Sequence, residues 1–75
     1  MTDRLNECGF VLAIAARVYR TSRLTAIASL REARGIYRRF LSEEGIAFGD
    51  VRYAWDSAGA ADVADEETRH WEPRP

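Results

Sequence analysis

The sequence predicts an α+β domain in which one amphipathic helix packs on one face of an antiparallel sheet, in the order β-β-α-β-β-β. Three observations predict it. The run "SLREARGIYRRFLSEEG" (29–45) carries a start signal, a stop signal and an apolar face at helical spacing. The runs "FVLAIAARVYR" (10–20) and "DVRYAWDS" (50–57) alternate in polarity, as half-buried strands do. Between and after them lie short polar, Gly- and Ser-bearing segments that suit tight turns.

In the first element Phe10, Leu12, Ile14, Ala16 and Val18 share one parity, and Arg17 and Tyr19 the other. The alanines weaken this pattern, because alanine favours helix. A first helix from Leu5 to Arg20 is therefore the competing reading. "RTSR" (20–23) then supplies a polar turn, and "LTAIA" (24–28) leads towards the helix. Ser29 with Glu32 has the form of a capping box, in which each side chain satisfies a backbone N–H at the helix start. Leu30, Ala33, Ile36, Tyr37, Phe40 and Leu41 recur every three or four residues and define the buried face. Gly45 stands where a left-handed stop residue belongs. The predicted helix spans about residues 30–44.

Val51, Tyr53 and Trp55 alternate with Arg52, Ala54 and Asp56, which predicts a strand. "SAG" (57–59) reads as a hairpin turn, "AADVA" (60–64) as a weak return strand and "DEET" (65–68) as a second turn. "RHWE" (69–72) would be a short last strand, halted by Pro73 and Pro75.

The chain has 75 residues, enough for one small domain spanning 1–75. Its core sits near the lower size limit, so a homodimer or a bound partner is a possible source of added stability. Apolar residues are 47% and charged residues 31%, a globular rather than a disordered balance. The longest apolar run, residues 10–16, is far short of the roughly 20 residues that span a membrane. No signal-peptide pattern opens the chain, and Cys8 is the one cysteine. Both point to a reducing, cytoplasmic setting without membrane attachment.

Net charge is −1, but it is divided unevenly. Residues 1–42 hold eight arginines against three acids, and residues 43–75 hold three arginines against nine acids. All eleven basic residues are arginine. The combination with abundant alanine points to base composition, although arginine also suits bidentate anion recognition.

The residue set excludes most chemistry. Cys8 and His70 are the only soft ligands, and no Cys/His pair has metal-ligand spacing. Asp62, Asp65, Glu66 and Glu67 lack a calcium-loop pattern and read as a solvated acidic turn. No nucleophile elbow, cysteine-protease signature or phosphate-cradling glycine loop is present. The expectation is a protein without catalytic residues, cofactor or metal.

What remains is surface. Arg31, Arg34 and Arg38 fall together beside the apolar face of the predicted helix, which reads either as an ordinary solvated helix face or as a stripe spaced to contact phosphate or an acidic protein surface. Arg39 lies further round, near Glu43 one turn on. Gly35 is costly in a helix interior and sits away from the core, which reads as drift at a tolerant exposed position, with close approach of a partner's backbone as the functional alternative. Asp62, Asp65, Glu66 and Glu67 can mimic phosphates against a basic groove. Trp71 is a candidate interface anchor.

The run "TAIASLREARGIYRRFLSEEGI", then "GDVRYAW", a polar hairpin and a final "HWEP", resembles small α+β proteins of phages and other mobile elements. Some of these are anti-CRISPR proteins. The resemblance covers residues 24–72 and implies a strand, a capped helix and a three-strand meander ending near a tryptophan. It implies an inhibitor that binds and blocks a larger nucleoprotein complex in a bacterial cytoplasm. The partner would then be a protein or ribonucleoprotein complex, and the alternative is a small nucleic-acid-binding regulator, as a monomer or a homodimer. Residues 58–67, rich in alanine and acid, depart from that pattern.

Overall fold

The computed structural model describes residues 4–69 and 71, and among them every regular element is a helix. Three helices follow in order: α1 (Glu7–Thr21), α2 (Ala26–Glu44) and α3 (Ser57–Thr68). The α+β expectation is thus overturned: no strand occurs among the described residues. No helix among them is long and apolar enough to cross a membrane.

The first predicted strand is α1, as the competing reading had it. Phe10, Ile14 and Val18 are buried, while Leu12 and Ala16 of the same parity are exposed. Residues four apart satisfy a period of 2 and a helical stripe alike, so parity alone could not separate the two. Asn6 decides the matter locally. Its side-chain oxygen accepts from the Gly9 N–H at 2.7 Å and caps the helix.

The helix predicted at 30–44 exists but begins earlier. Thr25 is the N-cap, and its hydroxyl accepts from the Ala28 N–H at 3.1 Å. Ser29 is not a cap. It lies inside the helix, buried, with a hydroxyl that has no hydrogen-bond partner among the described residues. The predicted apolar face is largely correct: Ala33, Ile36, Tyr37 and Phe40 are buried, and Leu30 and Leu41 pack against them. Gly45 ends the helix at φ 66°, ψ 36°, its N–H reaching back to Leu41 and Ser42 carbonyls.

Residues 46–56 form a turn-rich connection, not a strand. Asp50 organises it. The Asp50 carboxylate accepts from the Arg52 backbone N–H at 2.9 Å and from both arms of the Arg52 guanidinium. The Asp50 carbonyl accepts from the Tyr53 N–H and from Trp55 Nε1. These local bonds take the groups that a sheet ladder would have used. Val51 is 97% exposed, which no core strand would allow.

The predicted turn at 57–59 is the first turn of α3, and the predicted return strand and second turn at 60–68 are its body. Asp56 caps it by accepting from the Gly59 N–H at 2.8 Å. Alanine-rich sequence then favours helix over any β pairing. Of the predicted last strand, Arg69 and Trp71 lie in a turn and a bend after α3, and His70 and Glu72 lie outside the described residues, as do Pro73 and Pro75. With no strand among the described residues, the strand–helix–meander order that carried the family resemblance is not found there.

The core joins the three helices to the connection. α1 and α2 form a helical hairpin closed by residues 22–25, and α3 packs on both. Phe10 is fully buried and meets Trp55 edge-on, with ring centroids 5.0 Å apart. Trp55 also packs against Phe48 and Tyr53, and Tyr53 against Phe40. Each such ring pair contributes about 0.5–1.5 kcal/mol beyond its area burial. The Leu5 N–H donates to the Trp55 carbonyl at 2.8 Å, tying the start of the chain to the same cluster. Tyr37 donates its hydroxyl to Glu7 at 2.6 Å, fixing the first turn of α1 to the middle of α2.

Candidate functional site

The fold sets two charged surfaces on opposite sides of α2. On the side away from the buried residues lie Arg31, Arg34 and Arg38, all exposed. Ile27, 72% exposed, heads the same stripe. Spacings of four, three and four residues hold these side chains within about 60° of one another, and the three guanidinium stems span about 10 Å along the axis. They face solvent squarely rather than flanking the core.

Four other arginines are paired with acids, while Arg4, Arg20 and Arg23 are, like the stripe, exposed without an ion pair among the described residues; what sets the stripe apart is its alignment on one helix face. Arg17 of α1 grips Asp65 of α3 through two nitrogens, each 2.9 Å from a carboxylate oxygen. Arg39 donates to Glu67 of α3 at 3.2 Å, rather than to Glu43. Arg52 holds Asp50, and Arg69 holds Glu66. Arg31, Arg34 and Arg38 have no acidic partner among the described residues. Gly35 borders the stripe, and the space beside it is open except for Arg39 Nη1, 3.6 Å from where a Cβ would lie.

The second surface is a groove of about 520 Å³ between the end of α2 and α3. Phe40, Tyr53 and Val63 form its apolar part. Its rim carries Glu43 and Glu44 from α2 and Asp62, Asp65, Glu66 and Glu67 from α3, against one cation, Arg69. The four acids read from the sequence as a solvated turn are therefore helical and drawn together, but they are not equivalent. Asp65, Glu66 and Glu67 are each engaged by an arginine, and Asp62 has no ion pair among the described residues. Among those residues, no three acidic, cysteine or histidine side chains are placed to hold a metal ion.

Neighbouring charges shift the groove carboxyls in opposite directions. The hydrogen bond and the negative charge of Glu67 push the Glu43 carboxyl above its ordinary value. The Arg17 hydrogen bond pulls Asp65 below its own. Outside the groove, the Arg52 side chain and backbone hold Asp50 down at about 2. Burial, then Glu7, pushes the Tyr37 hydroxyl up.

Trp71 is half-buried and packs against the core, with its backbone N–H donating to the Thr68 carbonyl at 2.9 Å. It belongs to neither surface. Sequence reasoning missed Ile27 in the stripe, the carboxylates Glu43 and Glu44, and the Phe40–Tyr53 floor of the groove. Once 57–68 is read as a helix, the spacing of Asp62, Asp65 and Glu66 places them on one side of it, which is the signal that was available.

Comparison with protein-family models, with curated proteins and with solved structures finds no significant match.

Proposed function

We propose that this chain is a non-enzymatic interaction domain that docks the arginine stripe of α2 on an anionic protein surface of a larger nucleoprotein complex and blocks access to it. The observation that carries this reading is the alignment of Arg31, Arg34 and Arg38 on one exposed face of α2, with no ion pair among the described residues. Three unmatched guanidinium groups aligned on a rigid helix are preorganised for a fixed anionic partner, at little entropic cost to the backbone. A setting in a bacterial cytoplasm accords with the lone cysteine, exposed on α1.

The second reading is a nucleic-acid-binding regulator, which the same three arginines favour. The acidic groove and the slightly negative total charge oppose it, since both repel a polyanion at long range. Binding to random duplex and single-stranded DNA across a salt series separates the two. Protein docking predicts no binding even at low salt. Binding that falls with a log–log slope of about −2.7, as three phosphate contacts give, would replace the first reading by the second.

A further inference from the structure

The exposed line along α2 does not begin with an arginine. Ile27, 72% exposed, stands one turn before Arg31 and shares the arc of about 60° that holds Arg31, Arg34 and Arg38. Leu24 and Leu30 flank it, half-buried and packed against the core. No charged residue falls between Arg23 and Arg31. This face of α2 therefore has an apolar end followed by three cations. The acids of the same helix, Glu32, Glu43 and Glu44, lie about 80° or more round it from every arginine of the stripe.

A single exposed aliphatic side chain is ordinary on a protein surface. Val51, 97% exposed, is such a case: it sits in a turn between Asp50 and Arg52, which grip each other. Ile27 differs in two respects. Half-buried leucines extend its apolar surface on both sides, and the three arginines continue its line.

We infer that the occupant of this face is an acidic amphipathic helix of a partner protein, with one apolar side chain seated on Ile27 and carboxylates spaced to meet Arg31, Arg34 and Arg38. The inference rests on the docking reading above and names the partner's docking element. Charge complementarity puts acids opposite the three arginines. Acids alone hold weakly, since three exposed charge pairs amount to about tenfold in affinity. An apolar contact at Ile27 adds to that and excludes water beside the nearest ion pair. Geometry selects a helix. The line from Ile27 to Arg38 is straight, about 16 Å long, and spaced four, three and four residues. A helix laid alongside presents its side chains at the same repeat. A strand, whose same-face side chains stand about 6.6 Å apart, is out of step by the third position. A nucleic-acid backbone answers the arginines but offers Ile27 no apolar surface.

Two synthetic alanine-based helical peptides test this against the full chain at low salt. One carries a leucine followed by three glutamates at the stripe's own spacing, for a parallel partner; the other carries the same order reversed, for an antiparallel one. Fluorescence anisotropy is expected to show one of the two binding. Ile27→Ala is expected to weaken it about tenfold, with helical circular dichroism unchanged because position 27 is exposed and alanine favours helix. Replacing the peptide's leucine by glutamine is expected to cost as much, and both changes together little more than either alone. The Arg31/Arg34/Arg38→Glu variant is expected to lose binding altogether. Binding that needs the arginines but ignores both Ile27→Ala and the peptide's leucine overturns the inference and leaves the docking reading standing. Failure of both peptides to bind overturns the helical occupant, and the docking reading is then decided separately, by affinity capture from the native host. Binding of a DNA duplex in place of the peptides overturns both.

Discussion

The carbonyl oxygen of Ala54 occupies the place where a side chain at Gly59 would begin. A Cβ at position 59 would overlap that oxygen and crowd the Tyr53 ring, whose Cε2 would lie 3.3 Å away. The Tyr53 hydroxyl meanwhile donates to the Gly59 carbonyl at 3.0 Å. The aromatic connection and the first turn of α3 thus fit together only with glycine at this point.

Gly59→Ala is accordingly expected to destabilise the fold by about 2–3 kcal/mol, since the obstacle is backbone and cannot rotate away. Gly35→Ala provides the opposite case. Its new methyl would meet Arg39 Nη1 at an ordinary 3.6 Å, and alanine favours the helix interior, so a gain of about 1 kcal/mol is expected. Urea unfolding of both variants checks the pair, and a neutral Gly59→Ala would mean that the connection does not press on α3.

Ser29 and Thr25 give a sign test of where α2 begins. If Thr25 is the cap, Thr25→Ala loses about 1 kcal/mol. Ser29→Ala then removes a buried hydroxyl that has no partner among the described residues and gains about 1 kcal/mol, or roughly 4–8 °C in melting temperature. Were Ser29 the cap, its substitution would lower the melting temperature instead. Thermal melts of the two variants decide between them.

Acid sensitivity follows from two opposed carboxylate shifts. Asp50 is held at about 2, below the ordinary aspartate value of about 3.9, and Asp65 is shifted in the same direction. A depressed carboxylate stabilises the fold above its unfolded value, and that contribution is lost as pH falls through the folded one. Asp50→Asn is therefore expected to lower the melting temperature at pH 7, with the difference from wild type closing between about pH 4 and pH 2. Glu43 is raised, so its contribution is favourable below the ordinary glutamate value and is lost as pH rises. Glu43→Gln keeps a donor towards Glu67 and removes the repulsion, so it raises the melting temperature at pH 7, and the gain shrinks on acidification. Melting curves recorded from pH 7 to pH 2 read both trends, and a Glu43→Gln protein less stable at pH 7 would contradict the second.

The stop of α2 and most of its buried face were legible in the sequence, because Gly45 and the spacing of Ala33, Ile36, Tyr37 and Phe40 are signals with a single physical meaning. Its start was not, because Ser29–Glu32 has the form of a cap while Thr25, the true cap, has alanine three residues on. Phe10, Ile14 and Val18 suit a strand and a helix equally, and the alanines between them carried the better information. The pattern at Val51, Tyr53 and Trp55 suggested a strand because aromatic residues favour sheets, yet here they fold back on Phe10, Phe40 and Phe48 as a plug. The arginine stripe survived the change of fold class because it depends only on residues 31–38 being helical. The acidic residues changed meaning with it, from a turn to one wall of a groove that α2 completes.

The docking proposal stands or falls on recovery of a partner from the native host by affinity capture. Three variants are compared: wild type, Arg31/Arg34/Arg38→Glu, and a control in which the exposed Arg4, Arg20 and Arg23 become glutamate with the same change in net charge. Three exposed charge pairs at about 0.5 kcal/mol each amount to roughly tenfold in affinity. The stripe variant is expected to lose the partner by at least that factor while the control retains it. Equal recovery by all three, or equal loss by both variants, would contradict the assignment of α2's outer face as the docking surface.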